Sequence, residues 1–185
     1  TVIIPSYNRA YCLSRAIESV LAQTFSNYQL WVVDDGSTDA TEELVQKYST
    51  VKYVKTKNRG VSAARNSAIK NSHSPLVAFL DSDDEWLPHK LEQQVDFLNR
   101  HSDIPLVHGE EVWIRRGVRV NPMKKHQKSG GDIFARCLEL CCISPSTVLL
   151  RREVFHEVGL FREDFPVCED YYLWLKVCSR YPVGF

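Results

Sequence analysis

The sequence predicts an α/β domain built on a mostly parallel sheet flanked by helices. Two observations carry this expectation. Four short β-branched runs alternate with four segments of helical period over residues 1–100, and such alternation builds right-handed crossovers around a parallel sheet. Polar and acidic residues cluster directly after three of those runs, where open α/β sheets bind ligands, beyond the carboxyl ends of the strands.

The elements follow in order. Thr1–Pro5 is a β-branched run closed by proline, hence a buried strand. Leu13, Ala16, Ile17, Val20 and Leu21 then fall at helical spacing. Gln29–Val33 forms a second strand, broken at Asp34-Asp35-Gly36-Ser37. Residues 39–48 predict a second helix, with Asp39 and Glu42 spaced as a capping box. Val51–Lys55 is a third strand. The segment from Gly60 is a third helix, rich in small residues that permit close packing. Leu76–Leu80 is a fourth strand, and Pro88–Arg100 a fourth helix with proline in its first turn.

Beyond Arg100 the rhythm changes. Residues 105–117 predict one or two strands. The basic stretch Arg115–Lys128, poor in apolar residues, is expected to be a solvated loop or a contact for an anionic acceptor such as a lipid-linked phosphate. Asp132–Cys142 looks helical, residues 145–155 form a strand entering a short helix, and Glu169–Tyr181 is an amphipathic helix. The expected organisation is one domain over residues 1–185. Its first part, 1–104, would bind a nucleotide and its second, 105–185, would supply specificity. Thr1 opens inside a strand and Pro182–Phe185 begins another, so a trimmed piece of a longer chain is expected.

Bulk properties narrow the function. Lys+Arg and Asp+Glu each number 23, so no overall field draws the chain to nucleic acid or to an anionic membrane. No apolar run approaches the roughly 18 residues of a membrane span. Six irregularly spaced cysteines in a chain with a sufficient core point to reduced thiols. Cys137, Cys141 and Cys142 lie close together but lack the pairing and the histidine partner of a zinc site.

The carboxylates carry the chemistry. Asp81-Ser82-Asp83 follows the fourth strand, and two acids so spaced can reach one hard cation, Mg²⁺ or Mn²⁺, completed by waters and phosphates. A solvated turn before a helix is the alternative. Asp34 and Asp35 end the second strand; one suffices for a turn, and the other could accept hydrogen bonds from a base or ribose. Pro5, Tyr7 and Asn8 follow the first strand and could cradle the same nucleotide. Gly60 and the next amides open a helix, a natural place for phosphate. Arg65, one turn inside it, either faces solvent or is aimed at the nucleotide or the acidic cluster. Asp170 shares the core stripe of its helix with Leu173, Trp174 and Val177. A carboxylate there is costly unless it caps the helix or does chemistry, and the helix amino end would favour its ionised form. Trp86 and Trp113 could stack on a sugar or belong to the core.

Together, the stretches TVIIPSYNR, AIESVLAQTFSNYQLWVVDDGSTDAT, NRGVSAARNSAI, FLDSDDEWLPHKLEQQ and CEDYYLWLKV resemble family 2 glycosyltransferases, inverting enzymes of the GT-A fold. The resemblance is dense over residues 1–100, sparse over 107–142, and returns from Ser144. It implies a nucleotide-diphosphate sugar donor, often a UDP-sugar, and transfer to a saccharide or lipid-linked hydroxyl in polysaccharide, lipopolysaccharide or glycolipid synthesis. Pro5, Tyr7, Asp34, Asp35, Arg65 and Ser82 would line the nucleotide pocket. Asp81 and Asp83 would hold the metal, with Asp83 the direct ligand, and Asp170 would be the base. The implied location is cytoplasmic, with peripheral action at the inner membrane face where the acceptor is a lipid. Three rivals make different demands, one of them a scaffolding domain whose acids are merely solvated and which has no metal-dependent ligand affinity. A nucleotidyltransferase needs a glycine-rich loop after the first strand, and Pro5-Ser6-Tyr7-Asn8-Arg9 has no glycine. A non-catalytic nucleotide-sugar-binding module needs no base and would not require Asp170.

Overall fold

A computed structural model describes residues 1–185. Its strands are β1 (Val2–Ser6), β2 (Leu30–Asp34), β3 (Val51–Lys55), β4 (Leu76–Phe79), β5 (Leu106–Val107), β6 (Trp113–Arg115), β7 (Val118–Val120) and β8 (Leu149–Arg151). Its helices are α1 (Leu13–Leu21), α2 (Thr41–Val45), α3 (Val61–Asn71), α4 (Lys90–Arg100), α5 (Phe134–Glu139), α6 (Val154–Val158) and α7 (Glu169–Cys178). Six strands form one sheet in the order β3-β2-β1-β4-β8-β5. The first four are parallel, while β8 runs antiparallel to both β4 and β5.

The period of two along the strands divides the core in two. Ile3, Trp31, Val33, Val77 and Phe79 face one layer, made by α3, α5, α6 and α7. Val2, Ile4, Leu30, Val32 and Ala78 face the other, made by α1, α2 and α4. Strands β1, β2 and β4 are therefore buried on both sides, as parallel strands between helical layers must be, whereas β3 at the sheet edge is only partly buried. In α3, Ala63, Ala64 and Ala68 are buried and let the helix lie close to the sheet. The alternation predicted for the first hundred residues is present, and each parallel strand delivers its carboxyl end to the same edge.

Several local expectations are corrected. The capping box does not form: α2 begins at Thr41, where the Asp39 carboxylate accepts from the Thr41 amide (3.1 Å), while Glu42 pairs with Lys55 (2.8 Å). A carboxylate reachable by an opposite charge on the neighbouring strand does not turn back on its own helix. Helix α4 starts at Lys90 rather than Pro88; Pro88 lies in the preceding turn, where its carbonyl accepts from the Thr24 amide. The basic stretch is not all loop. Trp113–Arg115 and Val118–Val120 pair antiparallel through a turn whose central residues, Arg116 and Gly117, both have positive φ (51° and 76°). That is the backbone a two-residue hairpin requires. No helix is long and apolar enough to cross a membrane.

Candidate active site

Three loops meet at the carboxyl edge of β1, β2 and β4, joined by specific bonds. The amide of Asp35 donates to the Ser6 carbonyl (2.8 Å). Asn8, in the left-handed region (φ 52°), accepts from the Thr38 amide through Oδ1 (2.8 Å), and its own amide donates to Ser37 Oγ (2.8 Å). Arg9 reaches Asp83 at 3.9 Å. The loop after β1 thus touches both the loop after β2 and the acidic turn after β4.

Both carboxylates after β2 have protein partners. Asp34 is fully buried and accepts from the Ser37 amide (2.8 Å) and the Tyr53 hydroxyl (2.5 Å). Burial and the Asp34 bond together push the Tyr53 phenol far up, so it stays a donor. Asp35 accepts from the amides of Arg59 (3.0 Å) and Gly60 (2.7 Å). The Gly60 amide, expected to face a phosphate, is therefore bonded to Asp35. Pro5 is buried in β1, Tyr7 stands half-exposed beyond it, and Ser82 is buried in the acidic turn. Three buried polar atoms at this end of the fold have no protein partner: Ser6 Oγ, Ser62 Oγ in the first turn of α3, and Arg65 Nε.

Arg65 is 3 % exposed and bridges two acids. Its Nη2 donates to Asp81 (2.7 Å) and its Nη1 to Glu169 (2.8 Å), with the guanidinium 5.2 Å from the Phe161 ring centre. A buried guanidinium needs such compensation, and its fork suits two carboxylates. The sequence left solvent, the nucleotide and the acidic cluster as alternatives for Arg65; within the protein it bonds Asp81 of the acidic cluster and Glu169. In the sequence Glu169 stands out only as the first residue of the amphipathic helix, and its pairing was missed. No local signal could reveal it, because the partners lie 104 residues apart.

The acidic turn divides its labour. Ser146 Oγ accepts from the Asp81 amide (3.0 Å) and donates to Asp84 (2.6 Å), and the Ser146 carbonyl accepts from Trp86 Nε1 (2.7 Å). Trp86 is therefore a core residue rather than a free stacking platform. Burial, reinforced by the charges of Asp81 and Asp83, pushes the Asp84 carboxyl up despite the bond from Ser146. Asp83 is the freest acid, half-exposed with only the distant Arg9 for a cation. Asp81 retains one oxygen that accepts no protein hydrogen bond. This donor set fits a hard divalent ion: two oxygen ligands from a short turn, the remaining positions left for waters and phosphate oxygens. No group of three or more His, Cys, Asp or Glu side chains that could hold a metal ion is gathered at this or any other point of the fold.

Asp170 occupies the first turn of α7, and Leu173, Trp174 and Val177 of the same stripe are buried as expected. No other side chain hydrogen-bonds it. Burial raises its pKa, opposed by the amide of Tyr171 and reinforced by Glu169. The helix terminus does not win here: desolvation outweighs it. Cys168, in the left-handed region (φ 62°), turns the chain into α7. All six cysteines are unpaired.

The parallel sheet thus carries an acid pair at its carboxyl edge, and α7 adds a carboxylate that no other side chain bonds. The sequence profile of glycosyl transferase family 2 matches residues 1–159. The chain is 35 % identical over 180 residues, 96 % of its length and 68 % of the relative's, to UDP-Glc:alpha-D-GlcNAc-diphosphoundecaprenol beta-1,3-glucosyltransferase WfgD of Escherichia coli. It is also 35 % identical over 187 residues to an uncharacterised glycosyltransferase of Rickettsia bellii; that match takes in 100 % of this chain and only 27 % of the relative. The crystal structure of Staphylococcus aureus TarS 1–349 in complex with UDP superposes with a TM-score of 0.77 at 25 % identity, over 98 % of this chain and 56 % of TarS. The chain belongs to glycosyltransferase family 2, and its fold is the GT-A arrangement.

Proposed function

We propose that this domain transfers a sugar from a UDP-sugar to the hydroxyl of a lipid-linked saccharide, with inversion at the anomeric carbon. The observation that carries the chemistry is Asp170: half-buried, free of side-chain hydrogen bonds, and raised in pKa by burial and by Glu169. A carboxylate in that state is a better proton acceptor than an exposed one. The donor and acceptor classes are those in the name of WfgD, and TarS was crystallised with UDP.

The residues divide the work. Pro5, Tyr7, Asp34 and Asp35 shape the nucleotide side, Asp35 by holding the start of α3 through two amides. Ser6 Oγ, Ser62 Oγ and Arg65 Nε offer uncommitted hydrogen-bonding capacity there. Ser82 sits buried between the two acids Asp81 and Asp83. A divalent ion, Mg²⁺ or Mn²⁺, held by Asp83 and the free oxygen of Asp81 would neutralise charge on the departing diphosphate. Arg65 balances Asp81 and Glu169, so the acids of the site do not all repel an anionic donor. Asp170 takes the proton from the acceptor hydroxyl. The oxygen forms its bond to the anomeric carbon as the bond to the β-phosphate oxygen breaks, and the electron pair leaves with UDP. One in-line displacement inverts the centre without a covalent enzyme intermediate, unlike a retaining glycosidase.

Calorimetric titration with UDP tests the donor half of this reading. Binding is expected with Mn²⁺, and is expected to be lost with EDTA and in Asp83→Ala. Equal binding with and without the ion would remove the metal from the scheme, and no UDP binding in either condition would remove the donor.

A further inference from the structure

The zero net charge of the chain hides a local imbalance. Between Val112 and Gly131 there are six Lys or Arg residues and no Asp or Glu. The same segment carries six of the fourteen large hydrophobic side chains that the whole surface exposes, among them Trp113, Ile114, Val118 and Met123. All six residues of β6 and β7 are exposed. Ordinary solvated hairpins bury one face against the body of the protein; this one presents both. In register, Trp113 stands opposite Val120 and Arg115 opposite Val118, so one face is an apolar strip edged by a guanidinium, with Ile114 and Arg119 on the other.

We propose that the β6–β7 hairpin is a docking element for an anionic bilayer surface. The chemistry is complementary on both counts. Apolar side chains with a tryptophan suit the boundary between headgroups and acyl chains, while arginines and lysines reach anionic headgroups with their stems lying along the apolar layer. Arg115, Arg116, Arg119, Lys124 and Lys125 supply the positive charge. Lys128 does not join them: it is buried and pairs with Glu111 at 3.3 Å.

The root of the hairpin is anchored to the acidic turn. Trp113 Nε1 donates to Glu111 (2.9 Å), and Glu111 accepts from Ser144 Oγ (2.6 Å). Two residues on, Ser146 holds Asp81 and Asp84. A docked hairpin therefore fixes the acidic turn relative to the membrane plane. The docking itself does not depend on sugar transfer; its use in presenting the site to a lipid-linked acceptor rests on the proposed function.

Tryptophan emission gives a direct test with the intact chain. Trp113 is 37 % exposed, whereas Trp31, Trp86 and Trp174 are 2 %, 8 % and 1 % exposed, so a vesicle-dependent blue shift reports Trp113. Vesicles of phosphatidylcholine alone and of phosphatidylcholine mixed with phosphatidylglycerol are the probes, read by emission and by co-sedimentation. Binding and a blue shift are expected only with the anionic vesicles, falling as salt rises. Replacing Arg115, Arg116 and Arg119 by Glu is expected to weaken sedimentation by about a hundredfold or more, as Lys124→Glu with Lys125→Glu does to a lesser degree. UDP binding stays at the wild-type level in both variants, which separates loss of docking from loss of the donor site. No sedimentation with either vesicle, equal binding to neutral vesicles, or undiminished binding by both charge variants would overturn the proposal. So would a blue shift that follows protein concentration without vesicles, which would assign the hairpin to contact between copies of the chain.

Discussion

The carboxyl edge of the sheet and the β6–β7 hairpin treat charge in opposite ways. At the edge, Asp34, Asp35, Asp81, Asp84, Glu169 and Arg65 each have a hydrogen-bonded partner inside the protein. On the hairpin, Arg115, Arg116 and Arg119 stand exposed and form no ion pair. The contrast separates charges that fix geometry from charges free to meet a partner. It also isolates Asp170 and Asp83, the acids at the edge that no protein group holds closely.

Removing the loosely held acid should have the largest effect on turnover and little on folding. Asp170→Asn is expected to lower kcat by roughly 10²- to 10⁴-fold with UDP binding intact. Because burial raises the folded pKa of Asp170 above its unfolded value, the ionised form destabilises the fold at neutral pH. That cost is absent below the unfolded pKa and grows as pH rises through the folded one. Asp170→Asn should therefore leave the melting temperature at pH 7 unchanged or higher. The wild-type rate should fall on acidification at a higher pH than an exposed carboxylate would give, as a pH–rate profile will read. A large loss of stability in Asp170→Asn would erase the distinction between free and fixed acids.

Next comes the fixed charge. Arg65→Met leaves Glu169, 8 % exposed, without its cation, and should destabilise by about 3–5 kcal/mol in chemical denaturation. Adding Glu169→Gln should recover most of that loss, since the buried uncompensated charge is then gone. No recovery would mean that packing against Phe161, not the ion pair, is what Arg65 contributes. The smallest effect belongs to the hairpin: charge reversal at Arg115, Arg116 and Arg119 should change stability by no more than about 0.5 kcal/mol, because no folded-state partner is lost.

The same division explains what the sequence could reveal. Strands β1, β2 and β4 were legible because burial on two faces writes continuous apolar runs, β3 because its β-branched and aromatic residues interleave with lysines, and the helices because packing writes a repeat of three to four. The acidic turn and Asp170 stood out as charged residues placed where charge is costly. Ser146 did not, because nothing in a serine announces that it will hold two aspartates from another element. Nor did the hairpin: its turn uses Arg116-Gly117 rather than the asparagine or aspartate with glycine that signals such a turn, and its strands are only three residues long. The capping box was a local solution displaced by a lysine on β3, a contact that exists only once β3 lies beside α2.

The bridge from Arg65 to Glu169 also sets a timetable. The two residues are separated by 104 positions, which a ribosome synthesising about 5–20 residues per second covers in roughly 5–20 s. For most of that interval the nascent chain carries α3 and the acidic turn but not the glutamate that balances the arginine, nor the neighbouring Asp170. The buried guanidinium of Arg65 is therefore balanced by both of its acids only after α7 has emerged.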